Sequence, residues 1–301
     1  MFLSNDGLVQ DRFQGAVIGL WMVPIALASE TYGKGSSLNS SVESSNLTIA
    51  KDEIACYLTQ IDAFLHDPWR FKLSLPEAIS PLSSLPLLLR YSSDHSRRYS
   101  AVFSLLTEGM LEQNAQRLIQ ILVLGDVLSM VLNASALPIN LPSLAALNVR
   151  ASECGLSSIQ RSFYTDLWQM LRDRILHGSS TVADEVIEGI AIALAHPSDY
   201  PAAVCTAQKD WAVKEVSTTP NTLAISGIVA GVVAGAMGGR TSLPVLWQMH
   251  SYSEQSCLQR TESKKNCTKY NWEPRQVVNL ANRLFSQWAG VVRKSHTIIA
   301  K

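Results

Sequence analysis

The chain has 301 residues, of which 47% are hydrophobic and 17% are charged, and its 25 basic and 25 acidic residues leave a formal net charge of zero. This length allows a sizeable buried core, and we expect a single domain over residues 1–301. Because there is no net positive charge and no basic run longer than Lys264-Lys265, we expect neither nucleic acid nor an anionic membrane as a partner.

Apolar residues at helical spacing predict helices along the whole chain, joined by polar loops. The predicted helices cover residues 11–28, 52–65, 85–89, 100–106, 115–132, 157–176, 182–194, 201–211, 224–239 and 275–292. Most prolines lie between these segments, and no long stretch alternates between polar and apolar residues as a strand would. Residues 29–46 and 250–272 are polar and are predicted to be loops. The predicted fold class is therefore all-α.

The first helix has an alternative interpretation as a secretory signal peptide. Residues 16–28 have the length of the apolar part of a signal peptide, and they end on Ala26-Leu27-Ala28, which is similar to a cleavage site. The preceding segment carries Asp6 and Asp11, however, whereas a signal peptide should be positively charged there. The acidic start is typical of the first turn of a helix, which is the interpretation we favour.

The cysteines and histidines predict neither a metal site nor a redox motif. The five cysteines are far apart and include no Cys-x-x-Cys pair, and no two of the six histidines are four residues apart. We expect reduced thiols in a cytoplasmic protein, with a disulfide between Cys257 and Cys267 as the alternative. His95 follows Asp94 in a polar stretch and is predicted to lie at a solvated helix start.

A stripe of glycines marks the helix predicted over residues 224–239. Gly227, Gly231, Gly235 and Gly239 recur at an interval of four, so they share one helix face. Glycine in a helix interior costs about 1 kcal/mol relative to alanine, and the close approach of another backbone would offset this. The helical part is about 16 residues, roughly 24 Å, which is less than the ~30 Å hydrocarbon core of a bilayer. We therefore predict a buried helix packed against the first helix or its neighbour, without stable membrane insertion.

Several segments share, in chain order, the pattern of one enzyme family. Residues 11–20 read Asp-Arg-Phe-Gln-Gly-Ala-Val-Ile-Gly-Leu, residues 177–194 contain a glycine-rich turn and an apolar helix, and Leu-Leu-Leu at 87–89 lies in an apolar middle segment. The glycine stripe is followed by Ser-Leu-Pro-Val-Leu-Trp at 242–247. These segments resemble the opening Arg-x-x-Gly-Ala-x-x-Gly helix, the middle helices and the Ala-Gly-Ala-x-x-Gly helix of the ADP-ribosylglycohydrolase family. The resemblance implies a compact orthogonal bundle of helices.

The resemblance also implies a metal site whose second motif is changed in this sequence. Active members of the family bind two magnesium ions with carboxylates and threonine hydroxyls from an Asp-Asp-Thr segment and from an Asp-x-Asp-Thr motif before the glycine helix. Here residues 216–222 read Val-Ser-Thr-Thr-Pro-Asn-Thr, so Thr219, Asn221 and Thr222 occupy degenerate cleft positions. Magnesium prefers carboxylate ligands, which these residues do not supply.

The first motif of the family is changed as well. The opening helix of the family continues into a Gly-Asp turn that lies close to the ligand. Counting from Gly15, the matching positions are Val23 and Pro24, and the bulky Trp21 and Met22 precede them. Proline and two large side chains would block a phosphate rather than bind it. We therefore expect these four residues to line or fill the former ligand site.

Two principal hypotheses follow from the resemblance. The first is a pseudoenzyme, a catalytically degenerate relative that acts as a scaffold for an unknown protein partner, without catalytic residues, magnesium or another cofactor. The polar loop at 251–272 is the expected docking segment. The alternative is an ADP-ribosylglycohydrolase that cleaves ADP-ribose from modified proteins with a rearranged magnesium site, built from acids such as Asp52, Glu53, Asp184 and Glu185. A membrane-associated protein that uses the glycine stripe is a third possibility.

Overall fold

The computed structural model describes residues 5–33, 54–67, 81–105, 115–134, 140–178, 184–197, 199–214, 224–244 and 272–299. Its helices are α1 (Asn5–Gly33), α2 (54–66), α3 (Leu85–Arg90), α4 (His95–Leu105), α5 (Ala115–Asn133), α6 (Leu144–Glu153), α7 (Ser158–His177), α8 (Glu185–Ala195), α9 (Tyr200–Lys214), α10 (Ile225–Gly238) and α11 (Pro274–Ile299). Short 3-10 turns, Pro81–Ser84 and Arg240–Ser242, precede α3 and follow α10. These ranges contain no strand, so the prediction of an all-α fold is confirmed for the described residues.

Several helix boundaries differ from those predicted. Helix α1 continues to Gly33, which places residues 29–33 in a helix rather than a loop, because polar residues without a proline or glycine do not end a helix. Helix α4 begins at His95 instead of residue 100, since the Asp94 carboxylate accepts a hydrogen bond (3.0 Å) from the backbone N–H of Arg97. Helix α6 was not predicted, because it buries only Leu147 and Ala151 and so has no clear apolar stripe.

Helices α1 and α10 pack against each other through glycines on both sides of the contact. A methyl group on Gly15 would overlap the carbonyl oxygen of Gly235 and lie 2.8 Å from the Cα of Gly239. A methyl group on Gly19 would overlap the carbonyl oxygen of Gly231. All residues of α10 from Ser226 to Met237 are buried. The two backbones therefore touch, and this is the close approach that the glycine spacing predicts.

The glycines of the stripe contact more than one helix, so the prediction that they share one helix face is wrong. Gly231 and Gly235 face α1, but Gly227 faces α9, where a methyl group would lie 2.8 Å from Oε1 of Gln208. Four residues advance a helix by slightly more than one turn, so each step rotates about 40° around the axis. Gly239 lies beyond the helix and has φ +70°, a conformation that favours glycine, so α10 ends at Gly238.

The remaining core helices surround this central pair. Helix α8 approaches α10 where a methyl group on Gly189 would overlap the carbonyl oxygen of Ser226. Helix α11 packs on the opposite side of α1, where the ring of Phe13 lies 5.6 Å from that of Phe285 and 5.3 Å from that of Trp288. The core is thus built from helix faces covered by neighbouring helices.

Arg12 of the opening motif joins α1 to the end of α5. Its Nη1 donates hydrogen bonds to the backbone carbonyl oxygens of Val131 (2.9 Å), Leu132 (3.5 Å) and Ala134. The last carbonyls of a helix have no partner within the helix, and a buried cation satisfies both their hydrogen bonds and the helix dipole. Arg12 is therefore a structural residue that caps α5.

Among the described residues, α5 is the one helix whose length and composition would allow it to cross a membrane. The apolar α10 has 14 residues and is shorter. A core helix of a soluble protein meets the same criteria, and most of α5 is buried against other helices of this chain.

Candidate functional site

The positions where the resemblance places the family's ligand turn lie inside α1. Met22 and Val23 are fully buried, Pro24 is buried, and Trp21 is partly buried against the core. A methyl group on Gly231 would lie 2.5 Å from Cγ2 of Val23, so this side chain fills the space beside α10. The helix continues past Pro24 to Gly33. Val23 is thus part of the contact between α1 and α10, and all four residues lie within a helix and not in a turn.

Most of the other sequence-predicted positions lie outside the described residues. They are Thr219, Asn221, Thr222, Asp52, Glu53, Cys257, Cys267 and nearly all of the loop at 250–272. The cysteines within the described ranges, Cys56, Cys154 and Cys205, are free thiols. Among the described residues, no group of three or more histidine, cysteine, aspartate or glutamate side chains has an arrangement that could hold a metal ion.

Asp184, one of the acids considered for a rearranged metal site, caps α8. Its Oδ1 accepts hydrogen bonds from the backbone N–H groups of Val186 (3.0 Å) and Ile187 (3.1 Å). Its Oδ2 accepts a hydrogen bond of 2.7 Å from Nε2 of Gln120 on α5. Asp184 is therefore the N-cap of α8 and also links α8 to α5. Aspartate is a typical N-cap residue at the start of a helix. Glu185, the other described acid, is the first residue of the same helix.

The main concentration of buried polar groups in the described chain surrounds Asp126, in the middle of the apolar helix α5. Its Oδ1 accepts a hydrogen bond from Nη2 of Arg98 and lies 3.1 Å from Nδ1 of His95. Its Oδ2 accepts hydrogen bonds from the hydroxyl groups of Tyr164 and Tyr99, the latter at 3.3 Å. We call these five residues the Asp126 cluster. It joins α4, α5 and α7, and the side chains of Asp126 and Arg98 are completely buried.

A glycine allows Arg98 to reach this carboxylate. A methyl group on Gly125 would lie 2.9 Å from Cδ2 of Leu88 and 3.0 Å from Cδ of Arg98, so the side chain of Arg98 crosses α5 where α5 has no side chain of its own. The Nη1 of Arg98 donates hydrogen bonds to the backbone carbonyl oxygens of Tyr91 (3.2 Å) and Ser92 (3.1 Å), in the turn between α3 and α4. Arg98 therefore fixes both this turn and α5.

The electrostatics of the cluster keep its carboxylate charged and its phenols neutral. Burial alone would raise the pKa of Asp126, but the charge of Arg98 and the hydrogen bond from Tyr164 act against burial, and this pKa lies below its usual value. Burial and the nearby charge of Asp126 raise the pKa values of Tyr99 and Tyr164, so both remain hydrogen-bond donors. Burial and Asp126 also raise the pKa of the adjacent Cys154 thiol to about 11, which disfavours the nucleophilic thiolate.

A second buried ion pair joins α7 to α8. The Nε of Arg174 donates to Oε2 of Glu188 at 3.0 Å, and its Nη2 donates to Oε1 at 2.9 Å, while Nη1 donates to the carbonyl oxygen of Gly178 at 2.7 Å. Two parallel bonds between a guanidinium and a carboxylate fix their relative orientation. Both ion pairs therefore fix the relative orientation of the helices that they join.

Sequence reasoning did not single out the Asp126 cluster, although one signal was present. Asp126 is the only charged residue between Arg117 and the end of the predicted helix at 132, and a buried charge requires a partner. The prediction that Asp94 and His95 lie at a helix start is confirmed, but the imidazole of His95 is only partly solvated. Asp94 caps the helix, but the side chain of His95 is only 33% exposed and turns toward the buried carboxylate.

Acidification is expected to remove the stability that the Asp126 carboxylate contributes. Because its pKa is lowered in the folded protein, this stability is complete above about pH 4, the pKa of an unfolded aspartate, and is lost as the pH falls through the folded-state pKa. The difference in unfolding free energy between wild type and Asp126→Asn, measured in urea, should be largest near neutral pH and shrink below about pH 4. A difference that grows in acid would contradict this assignment.

Comparison with known proteins gives no match. No protein-family model, no curated protein and no solved structure is significantly similar to this chain. The likeness to the ADP-ribosylglycohydrolase family therefore rests on the sequence motifs alone, and the buried clusters have to be interpreted from their own geometry.

Proposed function

We propose that this chain is a catalytically degenerate ADP-ribosylglycohydrolase-like protein, a single orthogonal bundle of that type which acts in the cytoplasm as a protein-binding or regulatory scaffold. It works without magnesium, binds no nucleic acid and does not insert stably into a membrane. The observation that carries the proposal is the burial of Met22 and Val23 within α1, with Val23 against α10, at and beside the positions where the resemblance places the ligand turn.

The helical state of these positions supports the loss of ligand binding. Phosphate groups are bound by free backbone N–H groups, which occur at the first turn of a helix and in glycine-rich turns. Residues 21–24 lie in the interior of the 29-residue α1, where the N–H groups are used by the helix itself and Pro24 has none. A nucleotide phosphate would therefore find apolar side chains and occupied amides at this place.

Assays of hydrolysis and of metal binding on the full chain test the proposal. We expect no magnesium-dependent release of ADP-ribose from ADP-ribosylated arginine or serine peptides, and no magnesium-dependent heat when ADP-ribose is titrated into the protein. Carboxylate-bound metals orient the ribose and activate water in the resembling family, and neutral oxygens at Thr219 and Asn221 cannot offset two dications held close together. Magnesium-stimulated release that is abolished by Asp52→Ala or Glu53→Ala would overturn the proposal in favour of an active hydrolase with a rearranged site.

Restoring the acids tests whether the family motif once stood at these positions. The double variant Thr219→Asp/Asn221→Asp should gain a magnesium-dependent rise in Tm of a few degrees, because a ligand that binds only the folded state stabilises it. The control Ser217→Asp/Thr218→Asp adds the same charge immediately before the motif, without its spacing, and should show no such rise. Equal responses of the two variants, or none in either, would count against the degenerate metal site.

A further inference from the structure

Three polar atoms of the Asp126 cluster meet at one point near the surface. The Nδ1 of His95 lies 2.6 Å from Nη2 of Arg98 and 3.1 Å from Oδ1 of Asp126, while the same Nη2 also donates to Oδ1. Arg98 and Asp126 are completely buried, but the side chain of His95 is 33% exposed. Protons from the solvent can therefore reach the imidazole, which is the only member of this trio in contact with water.

The short distance to Arg98 fixes the protonation state of His95 in this arrangement. A guanidinium has only donor groups, so Nδ1 at 2.6 Å must accept a hydrogen bond from Nη2 of Arg98. The neutral ring then carries its proton on Nε2, and no proton lies between Nδ1 and the carboxylate of Asp126. Nδ1 of His95 and Oδ1 of Asp126 are both acceptors, and they lie 3.1 Å apart because Nη2 of Arg98 donates a hydrogen bond to each of them.

We propose that His95 is a proton-operated switch of the buried Asp126–Arg98 pair. A proton taken from solvent onto Nδ1 would point an N–H group at the Nη2 donor of Arg98, and two donors cannot remain 2.6 Å apart. The same N–H group has an acceptor in Oδ1 of Asp126. Protonated His95 therefore replaces Nη2 of Arg98 at Oδ1, and Arg98 stays attached through Nη1 to the carbonyl oxygens of Tyr91 and Ser92. The proposal concerns a property of the folded chain and does not depend on the proposed function.

The other charges of the cluster set the direction of the effect. Several titratable or charged groups surround His95 in addition to Arg98 and Asp126. Asp94 and Tyr99 lie beside it along the chain. Arg150 of α6 lies 3.9 Å from Oδ2 of Asp126, and Tyr164 of α7 and the thiol of Cys154 are close to the same carboxylate. On α3, Arg90 lies over the rings of Phe64 and Tyr91 and donates to Gln287. Two guanidinium groups thus face one buried carboxylate before His95 is charged. A further positive charge makes this imbalance larger, so protonation drives Nη2 of Arg98 away from the carboxylate while His95 takes its place.

Two measurements on the full chain test the switch. First, the nitrogen resonances of His95 in isotope-labelled protein should show an unprotonated Nδ1 and a protonated Nε2 at pH 8. Second, near-UV circular dichroism, which reports on Tyr99, Tyr164 and the adjacent Trp168, should change in a single-proton step as the pH is lowered from 8 to 5.

Matched glutamine variants separate this histidine from the others. His95→Gln keeps an acceptor for Arg98 but does not titrate, so the spectroscopic step should be lost. His66→Gln is the control, because His66 is also near a carboxylate, with Nε2 3.6 Å from Oδ2 of Asp62, but its side chain is 71% exposed. The step should persist in this variant. A protonated Nδ1 at pH 8 in the wild type, or an unchanged step in His95→Gln, would overturn the proposal, and the resonance measurement needs no variant.

Discussion

Gly235→Ala is expected to lower the free energy of unfolding by about 3 kcal/mol or more, although alanine is the better helix former by about 1 kcal/mol. The added methyl group would overlap the carbonyl oxygen of Gly15 and lie 2.9 Å from its carbonyl carbon and 3.1 Å from the Cα of Gly19. These are backbone atoms and cannot rotate away as a side chain could. Helices α1 and α10 would have to separate, and the core between them would lose its contacts.

Gly290→Ala is the matched control for this prediction. Gly290 lies in the exposed face of α11, and a methyl group there would meet nothing within 4 Å. This variant is expected to be stabilised by up to about 1 kcal/mol, because alanine favours the helix. Urea denaturation measures both effects through the midpoint at an unchanged m-value. If Gly235→Ala were as stable as the wild type, the direct contact of the two backbones would be refuted.

Asp126→Asn is expected to destabilise the protein by about 3 to 5 kcal/mol. Asparagine has the same shape as aspartate, but it leaves the completely buried guanidinium of Arg98 without a counter-charge. The matched control is Asp62→Asn, which removes one partner of the exposed ion pair between Asp62 and Arg283 (2.8 Å) and should cost less than about 1 kcal/mol.

A double variant distinguishes the buried charge from the loss of packing. Asp126→Leu/Arg98→Met removes both ions, so it should be more stable than either single variant, because neither charge is left alone in the core. Thermal and urea unfolding of the four proteins give the coupling energy between the two residues. Independent, additive effects of the two substitutions would contradict the close ion pair.

The elements that the sequence predicted correctly are those that follow from local patterns. The spacing of apolar residues indicated nearly all the long helices, and the glycine spacing indicated that α10 has a close neighbour. The helix α6 was missed because it lies flat on the surface and buries only Leu147 and Ala151. A helix of this kind depends on its capping residue, Ser143, whose hydroxyl accepts from the backbone N–H of Ala146 at 3.2 Å.

The Asp126 cluster could not be assembled from the sequence, because its members are distant along the chain. Arg98 precedes Asp126 by 28 residues and Tyr164 follows it by 38. A lone acid in an apolar helix predicts that a partner exists, but only the crossing of α4 and α7 over α5 selects this arginine and this tyrosine. The loss of the ligand turn at Met22 and Val23, in contrast, could be predicted from the sequence, because these side chains are apolar and do not form a polar turn.

The contact of α1 with the C-terminal third of the chain has a consequence for how the protein is made. Gln14 of α1 donates to Asn282 of α11, 268 residues later, and the hydroxyl of Tyr200 donates to the carbonyl oxygen of Gly19 across 181 residues. At roughly 5 to 20 residues per second, the ribosome needs on the order of ten seconds or more to supply these partners. Until then the face of the first helix that packs on α10 and α11 lacks these two partners, so a nascent-chain chaperone has a natural substrate in this segment.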